Sequence, residues 1–504
     1  MMRLASRMLP PGLKASLREM IPATVHAFVR GRFGAGASSR PTAPCGWPVA
    51  EENRRGLAVG GVSVRRHPYP YRCALAVNND TDGFRFPAFE AFHAYVSGRG
   101  ETPFGPGLGL EVADSFWFWA SGGEVGLYHA PPWQDDAPAS KEHGRLLELA
   151  RAGWIDSLHG FGAWKEDRHL DRDRVARAID YLVSKDVRLK VYVNHGGYNM
   201  AHNFGGPWGY YQQADNPRHE THCFDLLARY GFKYYWTDVC YELDKFGEDL
   251  TFADQEQLDA EVSTHDFERF FRCNDAADYA RVRDAFPGLD ERGRVEWRRR
   301  LFNRVLVPVT ARDGRPALVF KRFRGHEGPT AGNFAAQVNP QTLDGLEARR
   351  GSVVLYQHFG VWRALFTPKR HASQRYSVPE TVLDEHGLWA FRVLAERYRE
   401  GRILVATTRR LLDFLWMRDN LRYTVEKQDG QPTIRIDAID CPVAGRIVPD
   451  SNALDGLAFE LPATRDEPVV VLANKKLPMT VIADPDDSRR LIAYLPWRAL
   501  EYPE

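Results

Sequence analysis

Short apolar runs along this chain repeatedly end in charged or imidazole-bearing residues, and that pattern restricts the fold more than any other feature. The sharpest case is CALAVNNDTDGF at residues 73–84, where an apolar run gives way to Asn78, Asn79, Asp80, Thr81, Asp82 and Gly83. Read as a buried strand emptying into a polar loop, it puts two carboxylates where α/β enzymes carry their chemistry. Asp80 and Asp82 are two apart, so extended backbone points them the same way, with Cα atoms about 6–7 Å apart. An Asx-rich turn closed by Gly83 would explain this segment taken alone. Its counterparts elsewhere bear on the choice. IDSLHG ends at His159, LKVYVNHGG at His195 and FKYYWTDV at Asp238. LVFKRFRG delivers Lys321, Arg322 and Arg324, and VVLYQHFG delivers Gln357 and His358.

Candidate strands fall at 71–78, 111–118, 155–160, 188–194, 232–238, 304–309, 317–321, 353–359 and 403–407. Helical patterns lie between several of them. DRDRVARAIDYLVSKD sets Val175, Ala178, Ile179 and Leu182 on one face behind an acidic start. HETHCFDLLARYG and the long pattern ending in ERYREG each stop at a glycine, Gly231 and Gly401. Strand–helix alternation of this extent predicts a parallel, barrel-like α/β body at 51–419. Parallel strands present their C-terminal ends on one face, so these polar residues are expected to converge on one pocket. From residue 420 to 504 the pattern becomes short runs broken by Gly, Pro, Asp and Asn, which predicts an all-β, sandwich-like ending.

Composition narrows the classes. With 67 Lys+Arg against 66 Asp+Glu, no dedicated nucleic-acid surface is expected. Six scattered cysteines without a CxxC pair suit a reducing compartment, and no apolar run reaches a membrane span, so a cytoplasmic location is the expectation. Residues 1–50 form a basic amphipathic segment followed by a Gly/Ala/Ser/Pro-rich linker. Its Arg and Lys residues, with Leu13, Leu17, Met20 and Ile21 at helical spacing, suit peripheral contact with the inner face of a membrane, and equally a helix packed on the protein itself.

Asp82 with His159 and His195 makes a candidate divalent metal site of one carboxylate and two imidazoles with room for water. Zinc fits it best, and manganese, iron and cobalt are compatible. Asp80 is then the candidate base, His358 the candidate acid, and Asp238 a group that orients His358 or touches substrate. Trp117 and Trp119, on one side of an extended segment, and Trp164 and Trp208, near Gly or Pro, offer apolar faces to a sugar ring. Arg322 and Gln357 add polar substrate contacts. A carbohydrate substrate is the expectation.

The strand AVNNDTDG with two terminal aspartates, followed by SLHGFG ending in histidine, resembles the polysaccharide deacetylase superfamily over roughly residues 70–415. That resemblance implies an irregular (β/α) barrel of about seven strands and metal-dependent removal of acyl groups from amino sugars. It also implies Asp80 as base, Asp82 as ligand, and a late histidine, here His358, as acid. The first histidine of the family's HxxxH-type motif falls on His159, while the second falls on Ala163, so a third protein ligand has to come from elsewhere, such as His195. Two other classes fit the same residues. One is a glycoside hydrolase opposing Asp80 or Asp82 to Asp238, and the other is an inactive glycan-binding or assembly protein on the same barrel.

Overall fold

A computed structural model describes residues 61–120, 124–129, 138–162, 171–195, 202–205, 212–240, 305–324, 329–361, 383–428, 431–441, 443–463 and 467–503. The N-terminal basic segment, Ala163, Trp164 and Trp208 lie outside them. Asp238 is within a described strand, but its side chain lies outside the description.

Seven parallel strands close on themselves. In chain order they are β1 (Cys73–Asp80), β2 (Ala113–Ala120), β3 (Ile155–Leu158), β4 (Val191–Val193), β5 (Tyr234–Cys240), β6 (Pro316–Phe323) and β7 (Ser352–Gln357). Closure falls on β1. Ala74–Asn79 pair with Ser352–Gln357 of β7, and Asn78–Asp80 pair with Ala113–Ser115 of β2. An eighth strand, β8 (Ile403–Val405), runs parallel beside Cys73–Leu75, so the opening half of β1 pairs with β8 and the closing half with β2. Each of the nine strand positions expected from the sequence falls on a strand, the ninth being Leu306–Thr310, antiparallel to β6.

Helices α1 (Phe86–Val96), α2 (His143–Ala152), α3 (Arg172–Ser184), α4 (Phe224–Tyr230), α5 (Pro340–Arg349), α6 (Glu385–Arg399) and α7 (Thr408–Asn420) accompany the strands. Local chemistry accounts for their ends. Asp171 caps α3 by accepting from the Arg174 amide at 2.8 Å, and its buried face is Val175, Ala178, Ile179 and Leu182. Asn339 and Thr342 make a reciprocal capping box ahead of α5, with Pro340 opening the helix. Gly231 stops α4 at φ 118°, a conformation that only glycine takes without strain.

Beyond α7 the chain forms two small sheets. One has five strands built on the hairpin Leu421–Gln428 and Gln431–Cys441. The other has four and takes in Ser63–Val64 beside Ala458–Pro462. The final residues lie on the barrel. Leu500 donates to Glu111, Trp154 donates to the Glu501 carbonyl at 2.9 Å, and Tyr502 stacks on His93. No helix among the described residues is long and apolar enough to cross a membrane.

Candidate metal centre

The site forms where β1, β3, β4, β6 and β7 end. All eight residues of β1 are buried, so Asp80 enters the polar loop with no access to water, and Thr81 turns the chain by accepting from the Phe84 amide. Gly83, at φ 70°, then lets Asp82 stand two residues beyond Asp80. This turn lies against the turn after β7. A Cβ on Gly360 would fall 2.3 Å from the Phe84 nitrogen and 2.6 Å from the Asp82 carbonyl oxygen, so only glycine lets the two loops meet. The same contact holds Asp82 and His358 in one neighbourhood.

Asp82 stands among three imidazoles. His159 Nε2 is 3.3 Å from Asp82 Oδ1, and His195 Nε2 and His358 Nε2 are 3.5 and 3.6 Å from Oδ2. One donor atom each from Asp82, His159 and His195 lies within 4.8 Å of the others, close enough to share one ion. Asp82 Oδ1, both nitrogens of His159 and His195 Nδ1 are buried without a hydrogen-bond partner. Buried polar atoms are ordinarily satisfied, so such a concentration of unsatisfied donor atoms fits a cation that would complete them. Carboxylate and imidazole suit a divalent transition ion. Burial opposes the charge on Asp82, but His159 and the contacts from His195 and His358 outweigh it and hold the carboxyl well below its usual range. Burial lowers the His159 pKa, which favours the neutral ring a ligand requires.

The rings are held from behind. Trp117, at the core of β2, sets its edge against His159 and His195, with centroids 4.3 and 4.6 Å away. His195 follows β4 in a loop stitched by two asparagines. Asn203 accepts from the His195 amide and donates to its carbonyl at 2.8 Å, and Asn194 exchanges the same pair of bonds with Phe204. These side chains continue a ladder that the backbone has left.

Asp80 has a different environment. Arg322 Nη1 donates to its Oδ1 at 2.7 Å, Nη2 donates to Oδ2 at 3.0 Å, and Ser115 Oγ donates to Oδ1 at 2.5 Å. The guanidinium is wholly buried, its carbon 3.7 Å from the Trp236 ring centre and 3.8 Å from that of Tyr356. Burial opposes ionisation of Asp80, yet Arg322, then His159 and His358, hold it below its ordinary range. Arg322 also donates to Asn78 Oδ1, while Asn78 Nδ2 donates to Ser157 and Thr408. Its expected role as a substrate contact is therefore corrected, because both terminal nitrogens are engaged inside the barrel. Gln357 is corrected for the same reason, being fully buried with its Nε2 donating to Gln337. Trp117 is likewise a buried wall behind the ligands, whereas Trp119 keeps partial exposure.

His358 has a fixed tautomer. Its Nδ1 lies 3.1 Å from the Pro329 carbonyl, which can only accept, so Nδ1 carries hydrogen and Nε2 faces Asp82. Burial works against its positive charge, but Asp82 and Asp80 reverse this and raise its pKa.

Glu124 had no motif to announce it. Its Oε1 accepts from the Gly83 amide at 3.0 Å, next to Asp82, and burial followed by repulsion from Asp82 pushes it up to about 7. The only sequence signal is an acidic residue in a Gly-rich stretch shortly after a strand, which loops supply everywhere.

Comparison with family models, with curated proteins and with solved structures found no match.

Proposed function

We propose that this chain is a metal-dependent carbohydrate hydrolase on an irregular (β/α) barrel, of the polysaccharide deacetylase kind, removing acyl groups from a bacterial surface glycan or its precursor. The observation that carries the reading is the convergence of Asp82, His159 and His195 beside the Asp80–Arg322 pair, with His358 facing the same carboxylates. When bound there, a divalent ion, zinc by preference, would supply an acidified water and polarise an acyl oxygen.

The residues divide the remaining work. Arg322 keeps Asp80 ionised, leaving it able to accept a proton at an oxygen. His358, with Nδ1 tied to Pro329 and its pKa raised, donates from Nε2 to the departing nitrogen or oxygen. Trp117 and the buried strand ends exclude water from behind the ligands. Partly exposed Trp119 offers a ring to the sugar.

The test is acetate release. Metal-loaded protein incubated with a panel of N- and O-acetylated glycans should liberate acetate, and Asp80→Asn should suppress release while retaining the metal. Bound metal with no acetate from any glycan would overturn deacetylation. Release of reducing ends by metal-free protein would instead favour the paired-carboxylate glycoside hydrolase.

A further inference from the structure

The segment AVNNDTDG contains two residues that the proposed chemistry does not use, Asn78 and Asn79. Asn78 supports the Arg322 clamp. Asn79 reaches elsewhere, to Asp114 on one side and on the other to Phe359, the residue after His358.

The β1–β7 ladder ends with Gln357 opposite Asn79. One residue further, Asn79 Oδ1 accepts from the Phe359 amide at 2.8 Å, so a side chain carries the pairing past the ladder and brackets His358 between Gln357 and Phe359. That amide can only donate, which settles the orientation of Asn79. Its Nδ2 must face the other way, and it donates to Asp114 Oδ1 at 2.5 Å. Asp114 Oδ2 lies 2.7 Å from His93 Nε2, and His93 Nδ1 lies 3.1 Å from Ser97 Oγ. Asn79 and Asp114 are fully buried, and His93, Ser97 and Phe359 nearly so.

A buried carboxylate–imidazole pair is expensive to desolvate and often no more stabilising than apolar packing. Its presence here calls for a use, and what it holds is the side-chain amide of Asn79. We propose that Asn79, anchored by the Asp114–His93 pair, is the positioning residue that sets where the His358 imidazole stands over Asp82. The ring is then held at Nδ1 by the Pro329 carbonyl, lies with Nε2 3.4 Å from the Tyr356 hydroxyl, and is fixed through the adjoining Phe359 amide by Asn79. The functional meaning of that position rests on the hydrolase reading, but the positioning itself does not.

Full-length protein carrying ring-13C histidine reports the position directly. The His358 Cε1–H signal is assigned by its loss in His358→Gln. Asn79→Asp sets a second carboxylate against Asp114, and should move the His358 signal while those of His159 and His195 stay in place. The double variant Asn79→Asp/Asp114→Asn restores donor and acceptor at every link. Asp at 79 accepts from Phe359 and from the new amide, whose oxygen faces His93, and the wild-type signal should return. Asn79→Ser, neutral and too short to span the gap, should displace the same signal and serves where facing carboxylates prevent folding. In an acetate-release assay the single variants should lose about tenfold in kcat with little change in KM, as expected for a displaced reacting group. A His358 signal unmoved in both single variants overturns the proposal, as does a double variant that folds without restoring it. A wild type that folds and binds metal but releases no acetate removes the deacetylase reading and leaves the spectroscopic result standing.

Discussion

Replacing Arg322 by Met should test the clamp on Asp80 with little change in packing volume. Met fills much of the slot between Trp236 and Tyr356 but offers no donor. Asp80 would then be a wholly buried carboxylate whose remaining close donor among the described residues is Ser115. Removing one partner of a buried ion pair costs about 3–5 kcal/mol, because the other charge stays desolvated. The guanidinium between two rings contributes about 2 kcal/mol or more of cation–π attraction when dry, part of that same loss. Urea unfolding of metal-free protein at pH 7 should show the full effect. Asp80→Asn combined with Arg322→Met removes the stranded charge and should recover at least about 2 kcal/mol, a coupling that independent sites do not show. The pH dependence has a definite sign. The folded pKa of Asp80 is depressed, so the clamp contributes above the unfolded carboxyl value of about 4 and fades as pH falls below it. A loss under about 1 kcal/mol for Arg322→Met, or a double variant no more stable than the single, would show that Arg322 does not hold the Asp80 charge.

Two further outcomes follow from the loops around the centre. Gly360→Ala drives a methyl into the backbone of Asp82 and Phe84, which cannot swing aside. It should cost about 1–3 kcal/mol in thermal unfolding and weaken metal binding in a calorimetric titration, and unchanged values in both would mean that the loops do not meet so closely. In metal-free protein, Glu124 has a folded pKa raised to about 7. Its stabilising contribution is therefore complete below about pH 4.5 and declines by about 2–3 kcal/mol as pH rises through 7. Glu124→Gln should flatten that decline between pH 5 and 8 in urea titrations, and parallel curves for the two proteins would refute it.

Much of the centre was legible because strand period and parallel topology act together. An apolar run says where a strand is, its last residue says what the strand presents, and parallel pairing sends all such residues to one face. Asp80, Asp82, His159, His195 and His358 were readable on that basis. Arg322 and Gln357 were placed correctly on strands, but their partners were not, because whether a polar side chain faces water or another buried group depends on its neighbours across the barrel. The clue in LVFKRF was its charge, since an arginine inside an apolar run needs a partner indoors. Trp117 and Trp119 share a face by period, yet one is walled in by two histidines and the other reaches the surface, a difference set by strands distant in sequence. Glu124 comes from a loop, where no periodicity exists to read.

The seam at β1 also gives the centre an order of assembly. Strands β1 to β4 pair as consecutive neighbours, so Asp82, His159 and His195 can come together once the first two hundred or so residues have left the ribosome. Arg322 lies in β6 and His358 just after β7, and β7 must travel back to the first strand of the barrel before the ring can shut. During synthesis the ligand triad therefore precedes its guardian. Until β6 arrives, Asp80 lacks the two Arg322 bonds that hold its charge in the finished protein. Closure does not seal the cradle, because Asp82 and His195 keep partial exposure at the strand ends and stay reachable after the ring has shut.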